Sequence, residues 1–252
     1  MKKLFCAAGA ACLLAACVFS GCNLGDATVS FTLSEDGTHY SVSVDGNVGA
    51  LTEFEIPAEY SPEEGGQALP VTEIADFAFL RCNNLSSVTI PNSVTHIGQS
   101  AFAFSGLESV EIPSSVTHIG YGAFGSCIRL TEVTVPASVT ELSPLAFAYC
   151  TKLEKVYVKA NITVLENKVF YNSYVSEGGE IYTNTSLKKV YLPATLEKIH
   201  MDALGGNAIT DIYFAGTKEQ WNSVYFYTTQ LKEGKKDEYE EVKVEKNQVI
   251  PQ

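Results

Sequence analysis

Positive charge is scarce in this 252-residue chain. It has 17 Lys and Arg against 29 Asp and Glu, a formal net charge of −12. From residue 23 to residue 80 there are eleven acidic side chains and no Lys or Arg. Such a chain does not attract nucleic acid or anionic lipid by charge. Past residue 22 no apolar run is long enough to span a bilayer. Four of the seven Cys lie in the first 22 residues, and Cys82, Cys127 and Cys150 follow at wide intervals. Three such thiols make neither a disulfide framework nor a zinc-ligand pattern. No nucleophile elbow, phosphate-binding glycine loop, HExxH or paired catalytic acids occur. No catalytic residue, metal ligand or cofactor is therefore assigned, and the chain is not read as an enzyme.

Apolar and aromatic residues are plentiful. The chain is 46% hydrophobic, with 13 Phe and 13 Tyr, enough for a substantial core. Residues 1–22, "MKKLFCAAGAACLLAACVFSGC", have a basic start and a small apolar run, the form of an export signal. "LAAC" and "FSGC" both resemble the lipobox of bacterial lipoproteins. Lipidation is expected at Cys22, which leaves the polar start "CNLGD", with Cys17 as the alternative. That resemblance implies an exported chain, held at the envelope by lipid rather than by a spanning helix.

Internal repetition organises the rest. "IPNSVTHIGQSAF" at residues 90–102 and "IPSSVTHIGYGAF" at residues 112–124 agree at ten of thirteen positions. Units begin at Leu51, Leu85, Leu107, Leu130, Leu153, Leu187 and Ile209. Their form is L-x-x-V-x-I-P-x-S-V-x-x-I-G-x-x-A-F-x-x-C. V-x-I alternates like a short strand, and Pro ends it because it has no N–H to give a ladder. S-V-x-x-I reads as a second short extended segment or turn. Gly98 and Gly120 are expected at positive φ. A unit of 22 or 23 residues cannot bury its own apolar face, so like positions must stack across units. Phe79, Phe102, Phe124, Phe147 and Phe170 should form one internal column. About seven rungs, roughly 4.8 Å apart, give a rod about 35 Å long.

This pattern resembles the leucine-rich repeats of BspA-type bacterial surface proteins, over roughly residues 51–224. "LPVTEIADFAF" is similar to their opening repeat and "DIYFAGTKEQWNSV" to their closing one. The resemblance implies a right-handed, β-rich solenoid with parallel strand ladders and short helical or irregular connections. It implies a protein-binding or adhesive role at the bacterial surface, without a shared catalytic site. Lys159 in place of Pro and Leu204 in place of Phe mark rungs expected to be less regular. Around the solenoid, residues 23–50 read as an N-terminal β cap. Insertions fall near residues 61–70 and 171–186. Residues 226–252 form a charged segment, either a last strand or a tail.

Reading across rungs exposes candidate sites. His96 and His118 share one outward position, with Glu141 in the next unit. A two-His, one-carboxylate metal site competes there with plain divergence of repeat letters, and divergence is preferred. Cys82, Cys127 and Cys150 share another position, as a redox pair or as small buried residues, with burial preferred. The outward strand positions carry Tyr157, Tyr191 and Tyr213 in one column, with Lys155 and Lys189 in the column before. Stacked Tyr at a surface suit protein recognition and can stack on sugar rings, or they simply brace a parallel sheet. Expectation therefore rests on a protein partner, from a host or a bacterial surface, with glycan capture through the same ladder as the alternative.

Overall fold

A computed structural model of the chain describes residues 4–6, 27–46, 48–62, 66–175, 181–183, 186–231 and 239–244. Each repeat makes one turn of a solenoid with three walls. The first wall comes from the V-x-I letters. Glu53–Glu55 pairs in parallel with Ser87–Thr89. Further along, Glu132–Val135, Lys155–Val158, Lys189–Leu192 and Asp211–Phe214 form a parallel ladder in that order. The second wall comes from the x-I letters after S-V. Tyr40–Gly46, Leu69–Ile74, His96–Ile97, His118–Ile119 and Glu141–Leu142 pair in parallel, rung on rung. It resumes as Val164–Leu165, Lys198–His200 and Tyr225–Leu231, which Tyr239–Val244 closes antiparallel.

The third wall is a tight turn around the A-F letters. Its N–H groups donate to carbonyls of the following rung. Phe79 N donates to Ala101 O at 2.6 Å, Phe102 N to Ala123 O at 2.7 Å, and Phe124 N to Ala146 O at 2.8 Å. Side chains at period two in the strands and at A-F in the turn all point to one axis, where they are almost fully buried. The expected Phe column is continuous. Phe79, Phe102, Phe124, Phe147 and Phe170 stack with centroids 5.0–5.6 Å apart and planes within 12°. Leu204, which lacks a ring, continues it while remaining buried.

The turn wall corrects one expectation. Gly98 and Gly120 are not at positive φ. They are glycines because the previous rung is too close. A Cβ on Gly98 would sit 2.7 Å from Asp76 N, and one on Gly120 would sit 2.8 Å from Gln99 N and from Gly98 C. The left-handed positions lie two residues before and two after each Phe. Before it stand Phe77, Ser100, Gly122, Leu145 and Lys168; after it stand Arg81, Phe104, Ser126 and Tyr149, all with φ of 50–61°. The repeat holds ordinary side chains in a region that costs L-residues about 1–2 kcal/mol, and stacking against both neighbours holds them there.

Both ladders are interrupted. On the first wall, residues 109–112 belong to no ladder. The corner before them is one residue short. Two residues separate Cys82 from Leu85 and Cys127 from Leu130, but only Gly106 separates Ser105 from Leu107. That corner is drawn in so far that a Cβ on Gly106 would meet Asn83 O at 2.2 Å. The second wall is interrupted between Glu141–Leu142 and Val164–Leu165, in the unit where Lys159 replaces Pro.

The described parts of the ends and insertions form further strands. Ala27–Leu33 and Tyr40–Gly46 make an antiparallel hairpin that joins the second wall through Leu69–Ile74. Leu4–Cys6 lies antiparallel along the hairpin's outer strand. The first insertion is bracketed by Glu59–Tyr60 pairing with Leu69–Pro70. The second forms its own hairpin, Ser173–Val175 with Ile181–Thr183. At the far end the helix Lys218–Ser223 has a capping box, Thr217 with Gln220, and Trp221 packs against Phe214 at 5.4 Å. Among the described residues no helix is long and apolar enough to cross a membrane.

Candidate functional site: an aromatic ladder on the first wall

The V-x-I register decides where the outward side chains meet. Thr134, Tyr157, Tyr191 and Tyr213 are successive strand partners. Parallel rungs carry like residues directly over one another, so identical rings stack. Tyr157 and Tyr191 lie 4.4 Å apart with planes at 16°, and Tyr191 and Tyr213 lie 4.4 Å apart at 8°. Offset stacking of this kind contributes about 0.5–1.5 kcal/mol per pair beyond the area buried. Tyr157 and Tyr191 are half-buried, while Tyr213 is 43% exposed. Asp211–Phe214 is the last strand of its sheet, so the ladder ends on an uncovered ring.

The flanking charges are less free than the sequence suggests. Lys155 and Lys189 are adjacent, and Lys189 faces Asp211. Lys155 Nζ lies 3.6 Å from Glu132 Oε2, so one of the two cations is compensated by the preceding rung. Toward the other end of the wall Glu53, Glu55 and Glu111 are exposed. The face thus has an acidic half and an aromatic half. Between them, where residues 109–112 leave the ladder, a groove of about 470 Å³ opens. Thr89, Asn92, Glu111 and Ser114 rim it, with apolar Val88, Ile90, Ile112, Pro113 and Pro136 beneath. This groove was not read from the sequence; its one signal is the corner shortened at Gly106.

The other candidates resolve differently. Cys82, Cys127 and Cys150 are free thiols, fully buried in one column. Cys127 donates to Phe102 O and Cys150 to Phe124 O, each at 3.2 Å, and Ser105 Oγ fills the intervening rung 3.3 Å from Cys127 Sγ. Burial pushes Cys82 up to about 12 and Cys150 well above the usual thiol range. Despite the desolvation of burial, hydrogen bonds with its neighbours Cys150 and Ser105 shift Cys127 the other way, and all three side chains pack in the core. His96 and His118 stand with ring centroids 5.6 Å apart, and His118 Nδ1 is 3.1 Å from Glu141 Oε2. His39 pairs with Asp36 at 3.8 Å in the cap turn. His200 is buried and accepts the Asp202 N–H at 3.1 Å, and burial lowers its pKa below the imidazole norm. At the C-terminal end Lys198 pairs with Glu241, Tyr225 donates to Glu241 at 2.9 Å, and Lys198 sits over the Tyr227 ring at 4.8 Å. These contacts clasp the last strand, and Tyr225 also lines a cavity of about 680 Å³ with Glu197, Gln220 and Ser223. Cys17 and Cys22 lie outside the described residues.

The three-walled repeat also has known counterparts. The model of the BspA type leucine rich repeat region matches residues 68–177 and 178–239, in six copies. The chain belongs to that family. The BspA-type family is one of binding modules rather than one defined by a shared catalytic site. A leucine-rich repeat protein from Bacteroides capillosus is 36% identical over 51% of this chain and 92% of its own, with a TM-score of 0.45. The leucine rich repeat protein of T. pallidum is 22% identical over 67% of this chain and 80% of its own, at a TM-score of 0.50, a likeness of fold. A leucine rich cell surface protein from Faecalibacterium prausnitzii is 17% identical over 77% of this chain and 95% of its own, with a TM-score of 0.26. No curated protein of known function matches the chain.

Proposed function

We infer that this BspA-type protein is an exported, lipid-anchored binding module whose protein partner docks on the first wall at Tyr157, Tyr191 and Tyr213. The observation that carries this reading is the stacked Tyr ladder, half-exposed and ending on an open ring. Rigid aromatic groups with polar tips lose little conformational entropy on docking and dominate interface energetics. Lys189 beside the ladder, and the acidic half beyond the groove, give the face a charge pattern that orients a partner.

A second reading is favoured by Tyr213. Its exposed ring at the ladder's end is a platform on which a pyranose ring can stack, so the same site can hold a glycan. Full chain applied to a glycan array and to a panel of host and bacterial surface proteins separates the two. Protein capture weakened at least tenfold by Tyr191→Ala supports the first reading. Capture by glycans alone replaces it with the second, and binding indifferent to Tyr191→Ala removes the site.

The anchor is a separate element of the proposal. Export and lipidation at Cys22, or at Cys17, would place the solenoid outside the cytoplasm with its acidic end next to the envelope. Either cleavage removes residues 4–6 and leaves Ala27–Leu33 as the cap's free edge. Mass analysis of the N-terminal peptide from membranes should show a diacylated Cys; an unmodified terminus refutes the anchor.

A further inference from the structure

The second wall carries an outward column that its register makes explicit. Glu73, His96, His118 and Glu141 are strand partners in succession. Two imidazoles therefore stand between two carboxylates on four consecutive rungs. His96 is exposed and His118 is partly so. Their ring centroids lie 5.6 Å apart, with planes inclined at 31°.

Each ring has its Nδ1 engaged. His118 Nδ1 is 3.1 Å from Glu141 Oε2. A carboxylate oxygen at that distance favours a proton on Nδ1, the arrangement that leaves the Nε2 lone pair for a cation. His96 Nδ1 is 2.8 Å from Thr95 Oγ1. That hydroxyl also lies 3.3 Å from Thr72 O; when it donates there, its oxygen is free to accept from Nδ1–H. An Nδ1 held by a carboxylate or another oxygen is the support that metal-binding histidines use. The spacing also fits. Zn–N bonds of about 2.0–2.1 Å at a tetrahedral angle put two imidazole centroids about 5.2 Å apart. To bind one ion the rings must close by about 0.4 Å and turn both Nε2 atoms toward a single point.

We propose that His96 and His118 form a two-nitrogen site for a borderline divalent d-block cation of the Zn²⁺ class. Glu141 holds His118 in the binding tautomer, and the charges of Glu73 and Glu141 favour the cation. Among the described residues no group of three or more His, Cys, Asp or Glu side chains can surround a metal ion. The protein thus supplies two ligands, and water completes the shell. Hard cations such as Mg²⁺, which demand oxygen ligands, are not held by two imidazoles. The site sits on a different wall from the Tyr ladder and does not depend on its role.

The test is calorimetric titration of the untagged full chain with ZnCl₂, and with MgCl₂ as control. One Zn²⁺ per chain and no Mg²⁺ are expected. His96→Gln and His118→Gln should each abolish the stoichiometric heat, with circular dichroism unchanged. Glu141→Gln should weaken binding about 10–100-fold, the usual effect of losing such a support. Absence of Zn²⁺ binding in the wild type overturns the proposal. So does unchanged affinity in the His96→Gln, His118→Gln double variant, or Mg²⁺ binding of equal strength.

Discussion

Gly120 and Gly122 lie two residues apart in one turn, and Ala at each should have different consequences. A Cβ on Gly120 would be 2.8 Å from Gln99 N and Gly98 C and 3.0 Å from Gly98 O. These are backbone atoms of the preceding rung, so relief requires the rungs themselves to separate. Overpacking into side chains costs about 1–3 kcal/mol, and a backbone obstacle belongs at or above the upper end. Gly122 has φ of +60° and open space; its nearest new contact would be Ser100 Oγ at 3.5 Å. Only the left-handed penalty applies there, about 1–2 kcal/mol. Loss of glycine's freedom in the unfolded chain offsets about 0.4–1 kcal/mol of it. Gly122→Ala should therefore cost about 0–1.6 kcal/mol, and Gly120→Ala, with the same offset, about 2 kcal/mol or more. Ser100→Gly removes strain in the same column (φ 50°) and should be neutral or slightly stabilising. Urea unfolding followed by circular dichroism measures all three, provided the m-values agree. A Gly122→Ala cost equal to or above that of Gly120→Ala would refute the division of roles.

Two further outcomes follow from buried groups. Cys82, Cys127 and Cys150 should resist iodoacetamide in the folded chain and react promptly in urea, because burial keeps all three out of reach and holds Cys82 and Cys150 protonated; fast native labelling of any of them would contradict the packing. His200 has its folded pKa lowered by burial, so the unfolded chain takes up a proton near pH 6.5 that the folded chain refuses. Its contribution to stability is present above about pH 6.5 and lost as pH falls through the folded value. The drop in thermal midpoint from pH 7.5 to 5.5 should shrink in His200→Gln, and an unchanged drop would show that other groups cause it.

Much of this architecture is written in the repeat letters, because each letter does one job on every rung. Period-two V-x-I, terminating Pro and the recurring A-F are enough to stack the Phe column and to bring Tyr157, Tyr191 and Tyr213 face to face. Lys159 and Leu204 marked departures that the structure expresses as a broken second ladder and a ringless end of the column. What the letters concealed are properties of neighbouring rungs taken together. Gly98 and Gly120 read as turn glycines, but their absent side chains answer to the backbone of the rung before. The shortened corner at Gly106 is a single missing residue, and its effect, a rung outside the ladder and a groove, appears only once the rungs are stacked. Glu73 shares its position with His96, visible when "VTEI" is set beside "VTHI". Its partnership becomes plain only through register. The insertions gave no periodic signal, and their hairpins are built from local pairing instead.

The decisive measurement is adhesion of cells displaying the full chain to their natural surface, compared for two triple variants. Tyr157→Ala, Tyr191→Ala and Tyr213→Ala together empty the ladder; Phe77→Ala, Phe104→Ala and Tyr121→Ala together remove exposed aromatic rings from the turn wall. With both variants folded by circular dichroism, adhesion should be lost in the first and kept in the second. Adhesion kept by the Tyr variant would contradict the assignment of the first wall as the binding face.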